Sequence, residues 1–450
     1  LRILIVTQYF WPETFRINDL ALELRDRGHD ILVLTGLPNY PSGKLFAGYR
    51  PWLQRDDYQG IPIVRVPMIT RGASKGVRLV ANYLTFALSA CLLGPWMCHG
   101  KIDAVFAFEP SPIFVGWPAM VMKWWKKAPL LFWVQDLWPE SLSATGVVKD
   151  GWVIRLTDRL VRHIYRHCDR VLIQSPGFRE PIENQAVAAN KIVEFPNWAE
   201  ALYEPVDLPE IAPERTELPS GTRILFAGNI GASQSFPTIL RAAELCRDEP
   251  DLKWVILGDG REKPAVEQEI QSRDLGGIVH LLGRRPMETM PRYFAAADIL
   301  LLTLKRDPAF SRVIPSKLQS YLACGKPILG GLDGDGADVI REGDAGLVVP
   351  AEDAESLAAA ARRMLHSSPE ERQSWGQNGL RYSRQHFDRG RLIDQLEQLF
   401  REVSGVKDAG QQTHADRQPR AEQQTHTDQQ TDADQQARAG QQQTDRKRAA

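Results

Sequence analysis

Short apolar runs that each end in a polar or glycine-bearing loop and then hand over to a helix recur along this chain. That alternation constrains the fold more than any other feature. The run Leu1–Thr7 leads through a loop at 8–18 into a helical stretch that keeps Leu20 and Leu24 on one face. Gly28-His29 ends the helix, and Asp30–Thr35 is a second apolar run. A strand, a helix and a strand in this order predict a parallel sheet with a right-handed crossover, with the loops after the strands at one edge. Further strands are expected at 61–66, 104–108, 130–134 and 170–174. After residue 221 the pattern restarts with Arg223–Gly231.

The expected organisation follows. Residues 1–200 form one α/β domain. Residues 201–221, with Pro205, Pro209, Pro213 and Pro219, read as a linker. Residues 222–385 form a second α/β domain. Residues 386–406 supply a helix expected to pack back on the first domain. Residues 407–450 repeat Gln-Gln-Thr with Asp and His, lack large apolar side chains and read as a disordered tail. Two similarly built domains facing across a cleft suit a nucleotide-linked ligand.

Composition narrows the function classes. The 450 residues are 43% hydrophobic with a net charge of −1, which is globular and gives no global signal for nucleic acid. Cys91, Cys98, Cys168, Cys246 and Cys324 are scattered without CxxC spacing. Neither disulfides nor a zinc site are expected, in keeping with a reducing cytoplasm. The opening run is too short for a signal-peptide core, and Leu at position 1 reads as a trimmed or alternative start.

The chemistry-bearing stretch is Phe310–Pro327. A helix begins near Ser316-Lys317 after a loop containing Arg312, and Gly325 and Pro327 stop it. Unpaired amides and a positive dipole at such a start favour an anion, most naturally phosphate. An ordinary helix capped by Ser316, with its cations in water, is the alternative. Glycine-bearing loops at 228–231, 258–260, 283–285 and 330–336 follow strands in the same half. None has the GxGxxG form, which argues against a nicotinamide dehydrogenase.

Other features leave alternatives open. Leu79–Met97 is strongly apolar but contains Asn82, Thr85 and Ser89 and is broken by Gly94-Pro95. A helix buried or half-sunk in a membrane interface is preferred to a span. Met122–Lys127 mixes indoles with lysines, suiting either a headgroup layer or a solvated helix end. His163 and His167 lie four apart near Asp169 and read as a surface pair rather than a metal site. His414 and His426 fall in the solvated tail.

Arg223–Gly231, Val255–Gly260, Leu281–Arg284 and Leu322–Ile328 resemble the C-terminal domain of family 4 retaining glycosyltransferases, and Leu24–Thr35 resembles their N-terminal opening. Leu37–Pro41, Val134–Ser141 and Ile314–Lys317 resemble a narrower bacterial branch of O-antigen, capsule and colanic-acid enzymes, including N-acetyl-L-fucosamine transferases. The resemblance covers about residues 1–400. It implies the GT-B fold, two Rossmann-like α/β domains facing across a cleft. It implies hexosyl transfer from a nucleoside-diphosphate sugar, expected to be a UDP-sugar with UDP-N-acetyl-L-fucosamine among the candidates. The acceptor would be a lipid-linked saccharide, the anomeric configuration would be retained, and no metal or other cofactor would be needed. The expected place is the cytoplasmic face of the inner membrane, held peripherally, with no nucleic-acid partner.

Carried over to this chain, the resemblance implies donor contacts at Gly228, Asn229, Lys263, Arg284, Ser316, Lys317, Ser320 and Gly334. Lys317 and Arg312 would answer charge on the leaving diphosphate, with Arg261 in support. Asp136 lies near the position that often holds a catalytic-site histidine. It would sit under the reacting sugar or cap the helix ahead of Trp138-Pro139. Glu13, Asn18, Asn39, Tyr40 and Glu109 are acceptor-side candidates, each equally able to hold its own loop, with Asn39 slightly preferred. The chain also departs from the family pattern. Arg312 and Ser320 stand where a Glu-x7-Glu pair is usual, and Asn229 and Gln234 lie where an Arg…Lys pair is usual. A GT-B nucleotide-sugar epimerase and a binding protein that has lost catalysis are the alternatives.

Overall fold

The apolar runs pair as two parallel sheets in the computed structural model, which describes residues 1–72, 76–140 and 151–405. The first sheet has eight strands: β1 (Arg2–Val6), β2 (Asp30–Thr35), β3 (Gln54–Tyr58), β4 (Ile61–Arg65), β5 (Ala104–Glu109), β6 (Leu130–Val134), β7 (Arg170–Ile173) and β8 (Ile192–Glu194). Their order is β3-β4-β2-β1-β5-β6-β7-β8, and every pairing is parallel except β3 with β4. The second sheet, all parallel, has six: β9 (Thr222–Asn229), β10 (Leu252–Asp259), β11 (Val279–Gly283), β12 (Ile299–Thr303), β13 (Ile328–Gly331) and β14 (Gly346–Val349). Their order is β11-β10-β9-β12-β13-β14. Each order reverses once, between β1 and β5 and between β9 and β12. The crevice outside those strand ends is where ligands of such sheets bind.

The central strands are apolar on both sides because helices cover both faces. All five residues of Leu130–Val134 and of Ile299–Thr303 are buried. One face of the first sheet takes the helices Val77–Met97, Gly116–Lys126 and Gly151–His167. The other takes Arg16–Asp26 and, from the far end of the chain, Arg389–Ser404. Leu392, Ile393, Leu396, Leu399 and Phe400 of that last helix share a core with Ile3, Ile5 and Phe106. Arg389 bonds Asp19 at 2.8 Å, and His29 meets Glu397 at 2.6 Å. The first domain is therefore completed by residues that bond partners 370 and 368 positions away in sequence. Phe400→Ala is expected to cost about 3–5 kcal/mol, by loss of a buried ring and the cavity left behind. Denaturant unfolding of the variant measures this.

Several boundaries differ from the sequence expectations. The proline-bearing stretch 201–221 is not a free tether. It contains a short helix, Pro213–Glu217, and buries Leu208, Ala212 and Leu218 in the second domain's core. Arg292 pairs with Glu214 at 2.6 Å over that helix. The glycine-rich loop expected at 330–336 is divided: Gly330 and Gly331 end β13, and a helix runs from Asp335 to Glu342. The edge strand β3, the short strands β8 and β14 and the helix Pro369–His386 had not been expected. The expected tail at 407–450, with His414 and His426, and Ser141 of the Val134–Ser141 phrase lie outside the described residues.

Candidate active site

The helix Ser316–Ala323 follows β12, on the reversal side of the second sheet. Pro315 precedes it as N-cap, in extended conformation and without a side-chain bond, so Ser316 is the exposed first helical residue rather than the cap. The helix start thus keeps amides free to meet an anion. Lys317 leans back over the sheet. Its Nζ lies 4.0 Å from the Phe226 ring centroid and donates to Gln234 Oε1 at 2.5 Å. Among the described residues no carboxylate pairs with it. Burial pushes this amine down to about 7. A lysine so placed lacks a counter-charge, and a bound diphosphate would supply one.

Glycine lets that lysine lie where it does. A Cβ on Gly228, whose φ is +141°, would stand 2.7 Å from Lys317 Cε. A Cβ on Gly258 would stand 1.8 Å from the Gly228 carbonyl oxygen, a backbone atom that cannot swing away. Gly258→Ala is therefore expected to destabilise the fold by about 1–3 kcal/mol by overpacking. Thermal unfolding of the variant measures this. Gln234 was noted in the sequence only as a departure. Its carbonyl accepts from Thr303 at 2.6 Å, and Ser233 accepts from the Lys305 amide at 2.9 Å, tying the β9 and β12 loops around Lys317.

The other donor-side residues divide. Asn229 ends β9 and is exposed. Lys263 starts the helix Lys263–Ser272 and faces Glu267 at 3.7 Å. Arg284 is exposed after β11. Arg312 has no ion-pair partner among the described residues, and its carbonyl accepts from the Ser175 hydroxyl of the first domain. Gly334 packs on the backbone of Ser311, where a Cβ would meet the carbonyl oxygen at 1.9 Å, so its role is close approach. Ser320, by contrast, is buried and donates to Ser316 O at 3.3 Å, within its own helix. That engages the hydroxyl the resemblance offered to a ribose.

The facing loops come from the first sheet. Asp136 follows β6. Burial pushes its carboxyl up to about 6, opposed by a bond with Ser111. Its amide donates to Glu109 Oε2 at 3.4 Å. Glu109 is fully buried and held well above the usual carboxylate range by burial and then by the charge of Asp136. Of the two, Glu109 is the one whose surroundings favour the protonated form, by burial first and then by the charge of Asp136. Glu109 is thus an inner partner of Asp136 and does not face an acceptor.

Three other acceptor candidates turn inward. Asn39 is fully buried, donates to Leu37 O at 2.8 Å and accepts from the Arg71 amide at 3.0 Å. Asn18 donates to Glu13 O at 2.7 Å and accepts from the Trp11 amide at 3.1 Å. Glu13 accepts from the Asn39 and Tyr40 amides at 2.8 and 2.7 Å, while burial pushes it up to about 7. These three hold their loops together. Tyr40 remains partly exposed beside Tyr9, with the Arg71 guanidinium 5.1 Å from its ring.

Buried amides join the two halves of the cleft. Asn197 Nδ2 donates to Gln135 Oε1 at 2.9 Å and to Gln174 Oε1 at 3.2 Å. Gln319, on the Lys317 helix, donates to Asn197 O at 2.8 Å. The loop carrying Asp136 is thereby held against the helix carrying Lys317. No sequence pattern marked this network, since isolated Asn and Gln carry no spacing signal. A nearby cavity of 360 Å³ between the halves is lined by Glu194, Asp335, Asp338 and Glu342 as well as His386 and Arg391. Its acidic lining does not suit a diphosphate. His163 and His167 lie with ring centroids 4.4 Å apart and tilted at 54°, while Asp169 is turned to Lys123 at 2.6 Å.

Two family models match this architecture. Residues 14–198 match a glycosyl transferase 4-like domain, and residues 210–382 match glycosyl transferases group 1. Between them they take in most of the chain, one on each side of the junction. Both halves of the chain are similar to glycosyltransferase domains, and the fold is GT-B. A relative named as a colanic acid biosynthesis glycosyl transferase, WcaI of Escherichia coli K12, is 25% identical over 336 residues, covering 72% of this chain and 82% of its own. An alpha-D-kanosaminyltransferase of Streptomyces kanamyceticus is 25% identical over 259 residues, covering 55% of this chain and 65% of its own. Among solved structures, Anabaena HepE in complex with UDP superposes with a TM-score of 0.66 at 16% identity, covering 90% of this glycosyltransferase and 100% of that chain. Sucrose-phosphate synthase from Thermosynechococcus elongatus gives 0.68 at 16% identity, covering 90% and 99%.

Proposed function

We propose that this glycosyltransferase moves a hexosyl group from a UDP-sugar to a lipid-linked saccharide in surface polysaccharide assembly, with retention of configuration and without a bound metal. The observation that carries the reading is Lys317, a lysine without a carboxylate partner at an uncapped helix start beside Gly228. As the sugar–phosphate bond breaks, negative charge builds on the diphosphate. In this reading Lys317, the first amides of its helix and Arg312 stabilise that charge electrostatically. Asp136 is the group assigned to the sugar side, where a carboxylate offsets positive charge developing at the anomeric carbon. The UDP complexes of HepE support UDP as the nucleotide, and the name of WcaI supports polysaccharide assembly.

A panel of nucleotide sugars screened by thermal stabilisation, followed by incubation with a membrane lipid extract, tests the reading. The expected result is stabilisation by UDP-sugars and a lipid-extractable glycosylated product whose new linkage keeps the donor's anomeric configuration. An altered free UDP-sugar would instead identify an epimerase. UDP binding without turnover would identify a binding protein, the reading that the substituted positions Arg312 and Ser320 favour.

A further inference from the structure

The helix Val77–Met97 is long and apolar enough by length and composition to cross a membrane, yet one side of it belongs to the first domain's core. Asn82 accepts from Gln8 at 2.8 Å and donates to Ile69 O at 2.6 Å. Phe86, Ala87, Ala90, Gly94 and Pro95 are buried, and Gly94 abuts Leu34 and Met122. Pulling this helix into a bilayer core would strip the β2 side of the sheet. Its opposite side is also apolar: Leu88, Leu92 and Trp96, at four-residue spacing, are each more than half exposed. From Leu88 to Trp96 this stripe covers about 12 Å of the helix axis.

The neighbouring helices continue that face. Gly116–Lys126 and Gly151–His167 pack on the same side of the sheet. Trp125 lies 5.3 Å from Trp96, and Trp124 and Trp152 are each more than half exposed. The three helices carry seven lysines and arginines and one carboxylate, Asp158, which is turned to Arg162 at 3.2 Å and Gln185 at 2.6 Å. Exposed indoles and aliphatics interspersed with cations match the headgroup region of an anionic bilayer. A second copy of the chain fits poorly, because a two-fold pairing would set these cations against themselves.

We propose that this three-helix face docks the protein on an anionic lipid surface, with Val77–Met97 lying in the plane of the interface. The proposal rests on the lipid-linked-acceptor reading for its purpose, and its test uses neither sugar nor acceptor. The full chain is mixed with vesicles of phosphatidylcholine alone or with one-third phosphatidylglycerol, then floated on a density gradient. The wild type is expected to float with the anionic vesicles. Leu88→Ser/Leu92→Ser is expected to reduce flotation at least tenfold, and Arg155→Glu/Arg159→Glu to abolish the preference for anionic lipid. Both variants should keep wild-type UDP affinity, showing that they fold. Wild-type protein that stays unbound, a serine variant that floats like the wild type, or a dimer lost in that variant would overturn the proposal. Docking together with full activity on a water-soluble saccharide would remove the lipid-linked reading and leave the docking face standing.

Discussion

Lys317→Ala is expected to lower kcat/KM for the donor by about 10²–10³-fold, the usual loss when one preorganised charge donor leaves a site of this kind. The same variant should unfold at an unchanged or higher temperature. In the free protein the Lys317 amine is desolvated and bonds a neutral amide oxygen rather than a carboxylate, and burial holds it down to about 7, so its charge costs stability rather than adding it. Loss of activity with retained stability separates a ligand-binding lysine from a structural one. Lys317→Arg should rescue little, because the amine fits between Phe226 and Gly228 and a planar guanidinium does not. Steady-state kinetics beside thermal unfolding reads both quantities. Activity within threefold of wild type would remove Lys317 from the donor site.

Asp136→Asn is expected to lower kcat by about 10²-fold or more while leaving UDP affinity unchanged. Asparagine keeps the size of the side chain and a bond to Ser111 but removes the charge. The wild-type pH profile should report the same group. The Asp136 carboxyl is pushed up to about 6, so kcat should fall as pH drops through 6. Glu109→Gln should be far milder, since burial already favours the protonated form of Glu109 and its carboxyl is turned to the Asp136 amide rather than to the cleft. An Asp136→Asn variant with unchanged kcat would return the residue to a purely local role in its loop.

Much of the fold was legible because buried parallel strands announce themselves. Runs such as Leu130–Val134 are apolar throughout, and each is followed by a loop that breaks the pattern. The parts that escaped had weaker or different signals. The strand Gln54–Tyr58 sits at a sheet edge and is largely polar, although Gln59-Gly60, both with positive φ, form the hairpin turn that marks it. The helix Pro369–His386 opens on Ser368, which accepts from the Glu371 amide at 3.1 Å, a start signal present in the sequence. At the site, features set by local shape were legible, as with the helix start at Ser316-Lys317. Those that depend on tertiary neighbours could not be decided between gripping a sugar and holding their own loops. For Asn39 and Asn18 the sequence left both roles open, and their bonds within the fold are those of loop-holding residues. Asn197 and Gln319 carried no signal at all, because their partners lie 62 and 122 residues away.

The central claim is that Lys317 waits without a counter-charge for a diphosphate. Proton linkage tests this directly. In the free protein the amine is held down to about 7, and in the complex the diphosphate should restore its proton. In the free protein the amine sheds its proton above pH 7, whereas the unfolded chain keeps it up to the ordinary value of 10.5. Ligand-free stability should therefore rise with pH across that window, and UDP affinity should fall, approaching tenfold per pH unit. UDP itself is fully ionised above pH 7, since a terminal phosphate loses its second proton near about 6. Calorimetric titration of UDP at pH 8 in two buffers of different ionisation enthalpy counts the protons. Uptake approaching one proton by the wild type and none by Lys317→Met is the predicted result. No uptake by the wild type, or equal uptake by both, would contradict the account.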